Sequence, residues 1–304
     1  MKRNTYTSII RTLGCLLLLP VFASSCIHED PELTADGEIG VDPTAVNIMT
    51  NLILETPFDP IDISRNTRAE EETEFLHRFT VSAYEGTQKV ASQVIFQKVQ
   101  TGETTISIPV RLKLHARKYQ IAVWADYTGK TGDTYQLFYN AEDKGFIMRA
   151  TPYKANSKYY DAFYGSTSLD LSAYRDQWNV TVPTDIEMIR PMARYNLIAT
   201  DVEKFLQEVD KKEITGKKFT ITVKYNYYLP TAFDALTGKL KRSLQYMEYD
   251  KTVELATLRG LENKDEFTIG FDYLLINNES TASVPVTIEI TNESKKVVAR
   301  YQNL

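Results

Sequence analysis

The residue best placed to do chemistry in this chain is Cys26. It follows Ala23-Ser24-Ser25 and precedes the acidic run His28-Glu29-Asp30. Upstream lie a basic start, Lys2, Arg3 and Arg11, and an apolar stretch over 13–23. A basic start, a short apolar core and small residues before a cleavage point predict a secretory signal peptide over 1–25. The stretch is shorter than the roughly 20 residues a membrane-spanning helix needs, so it predicts a removed leader, not a span. Cys15 leaves with that leader, and Cys26 then carries the sole thiol. Disulfides and thiolate metal sites are therefore not expected in the mature fold. Without further modification Cys26 would be an ordinary free thiol.

Other reactive groups are sparse. His28, His77 and His115 stand far apart in sequence, form no ligand-spaced pair and have no nucleophile motif beside them. Asp161 and Glu248 are carboxylates of the type used in acid–base catalysis, but such work requires a fixed separation that spacing alone does not supply. Asp126, Asp133 and Asp143 do not match a calcium loop, and no glycine-rich phosphate loop is present. The expectation is no catalytic residue, no metal and no cofactor.

Aromatic residues are the other chemical resource, with 19 tyrosines. Tyr153, Tyr159, Tyr160 and Tyr164 share one loop region, and exposed rings stack on sugars. Tyr159, Tyr160 and Trp178 are thus a candidate glycan platform, packing over the core being the plainer expectation. Tyr225 and Tyr227 share the alternation of nearby apolar residues and are expected in the core. Trp124 lies on the opposite parity from Ile121 and Val123, which puts it between layers or under a loop.

These residues need a scaffold. The chain has 304 residues, 43% of them hydrophobic, enough for a packed core and two domains. Its net charge is −5; without the leader, 32 basic residues face 40 acidic ones, or −8. That acidity argues against nucleic acid as a partner. Residues 26–43, polar with Pro31, Gly37, Gly40 and Pro43, read as a tether. Beyond them period-two alternation dominates: Ile106 to Leu114, Tyr119 to Val123, Phe219 to Tyr227, Phe267 to Tyr273 and Val284 to Ile290. Alternation with polar turns predicts antiparallel β-sandwiches. One helix is expected from Thr200 with Glu203 as a capping box, with Val202, Phe205, Leu206 and Val209 as its apolar stripe and Gly216 at its end. The stretch 135–174 reads as irregular. A boundary near 184/185 separates an N-terminal sandwich, 44–184, from a C-terminal one, 185–304. A strand over 186–199 opens the second, with Pro191 at an edge or bulge.

The leader ending on Cys26 resembles the lipobox of bacterial lipoproteins, whose thiol is acylated, as with palmitate; several acyl chains hold far better than one. The acidic run after it resembles the surface-export signal of Bacteroidetes lipoproteins. Three further segments, Lys118-Tyr119-Gln120-Ile121-Ala122-Val123-Trp124-Ala125-Asp126, Asp161-Ala162-Phe163-Tyr164-Gly165-Ser166 and Arg190-Pro191-Met192-Ala193-Arg194, complete a resemblance to the fimbrillin-like superfamily of Bacteroidetes, the type V pilus subunits and their lipoprotein relatives. The resemblance implies tandem transthyretin-like or Ig-like sandwiches, an outer-membrane lipid anchor and exposure on the cell surface. It implies non-catalytic partners: other pilus subunits or further copies joined by donor-strand exchange, and a host or bacterial surface ligand. It also implies removal of a first strand, 46–54, by cleavage at Arg68 or Arg65; an uncut loop with two solvated arginines is the alternative. Relatives continue with a further turn and strand past the segment matching 297–304. The last sheet is therefore expected to lack an element, through a truncated gene or a genuinely open edge. A glycan-binding surface lipoprotein of a polysaccharide-uptake system is the second expectation.

Overall fold

The alternation read along the chain becomes alternation in burial. The computed structural model describes residues 45–59, 76–128, 138–141, 145–148, 153, 155–175, 177, 180–261, 266–276, 284–302 and 304. The chain divides into two compact units, 1–43 and 44–304, and every described residue belongs to the second. The predicted leader and tether, with Cys26, lie outside the described residues, as do Arg65, Arg68 and Trp178.

In β1 (Ala45–Leu54), Val46, Ile48, Leu52 and Leu54 are buried while Met49 and Ile53 face outward. β1 is the middle strand of its sheet. It runs parallel to β10 (Thr181–Met188) and antiparallel to β4 (Thr105–Ile108) and β5 (Lys113–His115). Ile106 through Leu114 alternate in burial as expected, but Pro109 lies in the gap that splits the run into β4 and β5, as an imino acid with no N–H to give to a ladder would require. A facing sheet has the order β3-β2-β6-β9, from β2 (Leu76–Glu85), β3 (Gln88–Gln97), β6 (Lys118–Thr128) and β9 (Ala162–Asp170). Ile48, Leu52, Phe79, Val81, Ile121 and Val123 meet in the core between the two sheets.

The second half layers two strands against four. β11 (Met192–Ala199) pairs with β16 (Phe267–Leu275). Opposite lies the order β15-β12-β17-β18, from β12 (Lys218–Tyr225), β15 (Glu248–Glu254), β17 (Val286–Asn292) and β18 (Val297–Tyr301). Phe219, Ile221, Val223 and Ile288 form its core with Val202 and Leu206 of helix α1 (Val202–Asp210). A last sheet joins the halves: β7 (Tyr139–Ala141) and β8 (Gly145–Met148) from the first continue into β13 (Leu229–Asp234) and β14 (Lys239–Leu244) from the second. It covers a separate core of Trp124, Tyr139, Phe146, Phe233 and Tyr273.

The fold is mainly β, as expected, and several details differ. The expected boundary at 184/185 falls inside β10, which stays in register with β1 from Thr181 to Met188. The strand expected over 186–199 is two strands, with Pro191 in the turn between them. The stretch 135–174, read as irregular, contains β7, β8 and the nine-residue β9. Asp201, not Thr200, is the N-cap of α1, and its side chain makes no capping bond. The chain turns left-handed at Lys212, before Gly216 is reached. A second helix, α2 (Leu255–Arg259), was not anticipated. In β16 a register shift opposite Leu197/Ile198 breaks the alternation. Ile269 therefore joins the second core, while Phe271 and Tyr273 pack with the Trp124 cluster.

Candidate functional site

The three internal segments singled out by sequence meet in space. β6 and β9 pair with Ala125 opposite Phe163 and Asp126 opposite Ala162, which sets Asp161 at the mouth of the sheet. Asp161 is 0% exposed. Its carboxylate accepts from Arg190 Nε at 2.6 Å and Nη2 at 2.9 Å, and from the backbone N–H of Asp59 at 2.8 Å. Arg190 Nη2 also donates to the Pro57 carbonyl at 2.8 Å, Nη1 donates to Thr56 Oγ1, and the guanidinium lies 4.6 Å over the Phe163 ring. Arg194 Nη1 donates to Asp59 Oδ2 at 2.7 Å and stacks 4.6 Å over Phe271; Tyr273 Oη donates to the same Asp59 oxygen. Residues 56–59, just after β1, are thus clamped by two arginines from the start of the second half.

The electrostatics follow from burial and pairing. Burial pushes the Asp161 carboxyl above its ordinary value against the pull of Arg190. Asp59, less buried, ends below the ordinary value, because the Tyr273 hydrogen bond and the charges of Arg194 and Arg190 outweigh its desolvation. A carboxylate engaged by a bidentate guanidinium and a backbone amide is a structural counter-ion. Glu248, the other carboxylate considered for acid–base work, is an exposed residue at the start of β15 and makes none of these contacts. Among the described residues no group of three or more His, Cys, Asp or Glu could hold a metal ion.

Close backbone approach completes the junction. Tyr164 and Ile189 exchange both backbone hydrogen bonds at 2.9 Å. A Cβ on Gly165 would lie 2.3 Å from the Glu187 carbonyl oxygen, so only glycine lets β9 and β10 come this near. Beneath them Trp124, fully buried, stacks on Phe146 at 4.5 Å, which is the between-layers one of the two placements its parity allowed. Asp126 is buried in an ion pair with Arg78, whose Nε donates at 2.8 Å. Asp272, also buried, accepts from Tyr153 and Tyr225, and burial pushes its carboxyl up to about 6.

The second feature is an open edge. Among the described residues β11 has β16 on one side and no strand on the other. The outer edge of β16 is blunted: Phe271 exchanges hydrogen bonds with Asn156, and Lys251 Nζ donates to the Thr268 carbonyl at 2.7 Å. Two strands cannot cover the inner face of four. A cavity of about 290 Å³ remains between the layers, lined by Ile198, Phe205, Phe219, Ile221, Ile290 and Leu304 among others. Ile198, at its lip, is 51% exposed. Tyr301 Oη donates to Asp201 Oδ2 at 3.0 Å near the same opening.

Of the candidate glycan platform, Trp178 lies outside the described residues, and the two tyrosines pack, as the plainer expectation had it. Tyr160 is buried, and Tyr159 is part-buried, stacked on Phe138 and packed on the first core. Tyr227, expected in the core, is 63% exposed because β12 ends at Tyr225. Sequence reasoning missed Arg190 as the counter-ion of Asp161, although both residues stood in the segments it had picked out.

A family model described as "Family of unknown function (DUF6562)" matches residues 43–304. No curated protein matches the chain. Similar solved structures include a candidate adhesin from Bacteroides ovatus, at TM-score 0.44 and 11% identity, covering 85% of this chain and 76% of that one. The fimbrial anchor protein Mfa2 from Porphyromonas gingivalis is similar at TM-score 0.44 and 12% identity, covering 84% of this chain and 82% of that one. A candidate cell adhesion protein from Parabacteroides distasonis is similar at TM-score 0.43 and 13% identity, covering 81% and 75%.

Proposed function

We propose that this chain, which belongs to the DUF6562 family of unknown function, is a lipid-anchored, surface-exposed and non-catalytic pilus subunit or pilus-anchoring accessory that takes a neighbour's strand along β11. The observation that carries this reading is the second layered half itself, with two strands facing four, an outer β11 edge without a strand among the described residues, and an apolar cavity beside it. An incoming strand gains main-chain pairing on β11 and places alternate side chains over the cavity, the two sources of affinity and specificity in strand addition. The lipobox-like leader ending on Cys26 supports acylation there and attachment to the outer membrane, with 44–304 at the cell surface. Assembly of the mature protein tests the reading: multimers form and Ile198→Lys abolishes them. A strictly monomeric mature protein, or multimers indifferent to that lysine, overturns it.

Cleavage at Arg68 or Arg65 belongs to the same reading. β1 holds the middle of its sheet and buries Val46, Ile48, Leu52 and Leu54, each contributing about 1.5–3 kcal/mol. Arg190 clamps the residues behind it. A cut after Arg68 therefore leaves β1 in place until another strand displaces it. Mass analysis of trypsin-nicked protein tests this: the fragment carrying β1 co-elutes with the rest, and its spontaneous loss contradicts the clamp.

A further inference from the structure

At the far end of β12 from the cavity, where Phe219 and Ile221 give way to Tyr225, three tyrosines face solvent. Tyr227 is 63% exposed, Tyr228 51% and Tyr246 87%. Large exposed rings gathered in one place mark a contact surface more often than isolated ones do. Tyr246 keeps most of its ring in water and sits at φ 61°, a left-handed backbone that L residues with bulky side chains seldom adopt. The chain on either side is pinned. Tyr225 N–H donates to the Met247 carbonyl at 3.0 Å, Asn226 N–H to the Pro285 carbonyl at 3.0 Å, and the Asn226 amide to Thr287 Oγ1 at 2.9 Å. Met247 is buried and anchors the other side. The rings of Tyr227 and Tyr228 stand at right angles with centroids 6.0 Å apart, so they present faces in two directions from a fixed base.

These rings border a depression of about 490 Å³ whose lining includes Lys224, Gln245 and Glu248. Its volume falls in the range of small-ligand sites, about 300–1,000 Å³, and three rings make less surface than the roughly 800 Å² per partner of a stable protein interface. Lys224 stands opposite Glu248 in the β12–β15 ladder. One lysine and one glutamate balance in charge, and Lys224 Nζ lies 3.7 Å from Glu289 on the neighbouring strand. The lining does not select an ion. Aromatic faces with amide, carboxylate and phenol groups at their edges suit a ligand with apolar C–H faces and neutral hydroxyls.

We propose that Tyr227, Tyr228 and Tyr246 form a binding site for a neutral oligosaccharide, the rings stacking on sugar faces while Gln245 and Glu248 take its hydroxyls. The site stands apart from the β11 edge and does not depend on strand uptake. It is tested by titrating the mature protein with a panel of soluble neutral oligosaccharides, hexose and N-acetylhexosamine chains, alongside sialylated and sulfated ones. Heat and tyrosine emission are the readouts. The expected result is binding of at least one neutral chain that does not change with added salt. Tyr246→Ala weakens it about tenfold, the size of one lost stacking contact, and Tyr227→Ala with Tyr228→Ala, which removes two rings, weakens it further than that. The far-ultraviolet spectrum stays unchanged, and Ile198→Lys leaves binding intact. Failure of every neutral chain, affinity confined to the charged ones, or binding indifferent to the tyrosine variants overturns the proposal. Recognition of a purified protein partner that these variants abolish, with no sugar binding, overturns it in favour of a protein contact.

Discussion

Arg190→Met would report on the junction most sharply. Arg190 has 20% of its side-chain surface exposed and Asp161 none, so their ion pair is largely desolvated. Removing the cation leaves a buried carboxylate that still accepts from the Asp59 amide. Breaking such a pair from one side costs about 3–5 kcal/mol, a large share of the 5–15 kcal/mol that holds an ordinary domain. The variant also loses the donations to Thr56 and Pro57. Asp161 already titrates above its ordinary value because of burial, and without Arg190 it rises further. A group whose folded value is raised binds protons more tightly when folded, so stability returns as pH falls through that value. Urea unfolding followed by emission of the buried Trp124 measures this. The expected outcome is a large fall in midpoint at neutral pH with the slope unchanged, shrinking as the solution is acidified. Adding Asp161→Asn to Arg190→Met should recover most of the loss, since both charges are then gone. A loss under about 0.5 kcal/mol, a loss independent of pH, or a double variant no better than the single one would refute the reasoning.

Other perturbations separate the parts of the account. Gly165→Ala forces a methyl against the Glu187 carbonyl and should cost about 1–3 kcal/mol in urea unfolding; a neutral result would mean β9 and β10 part freely. His77 is buried between Phe58 and Tyr127, and burial depresses it to about 4 from its ordinary 6.5. It therefore contributes stability that is complete above pH 6.5 and lost as pH falls toward 4, about 3 kcal/mol in all. Asp272, raised to about 6 by burial, acts the opposite way over much of the same window. His77→Gln should consequently leave a protein that gains stability on mild acidification, read from unfolding curves across pH; unchanged acid sensitivity would remove His77 from the explanation. Replacing Cys26 with Ser should abolish incorporation of labelled palmitate in the cell, and undiminished label would place the lipid elsewhere.

Much of the scaffold was legible because burial in a sandwich is a period-two property. Ile106 to Leu114 and Phe219 to Tyr225 alternate in the structure as they do in the sequence. Parity took Trp124 off the Ile121 and Val123 face, between layers or under a loop, and the structure puts it between layers. Failures occurred where alternation was interrupted by something non-local. Tyr227 continued the pattern on paper, but the strand stops two residues earlier to turn toward Pro285. The bulge in β16 exchanges faces after Ile269, which no local signal announces. β10 looked like the opening of a new domain, yet its partner β1 lies more than a hundred residues upstream. The Arg190–Asp161 pair is of the same kind, since charge complementarity between distant segments leaves no spacing to read. The density of tyrosines at 153–164 suggested a glycan platform, with packing as the plainer reading, and Tyr153, Tyr159, Tyr160 and Tyr164 do pack against the cores. The sheet that joins β8 to β13 likewise pairs segments that sequence order had assigned to separate modules.

Hydrogen exchange on β11 tests the central claim most directly. Monomeric and assembled mature protein are compared, and the amides of residues 195–199 are followed by mass spectrometry. Pairing with an incoming strand predicts that these amides exchange much more slowly after assembly, together with those of β18 near the cavity mouth. Assembly that leaves 195–199 exchanging as in the monomer, or that protects only a different edge strand such as β3, would contradict the account.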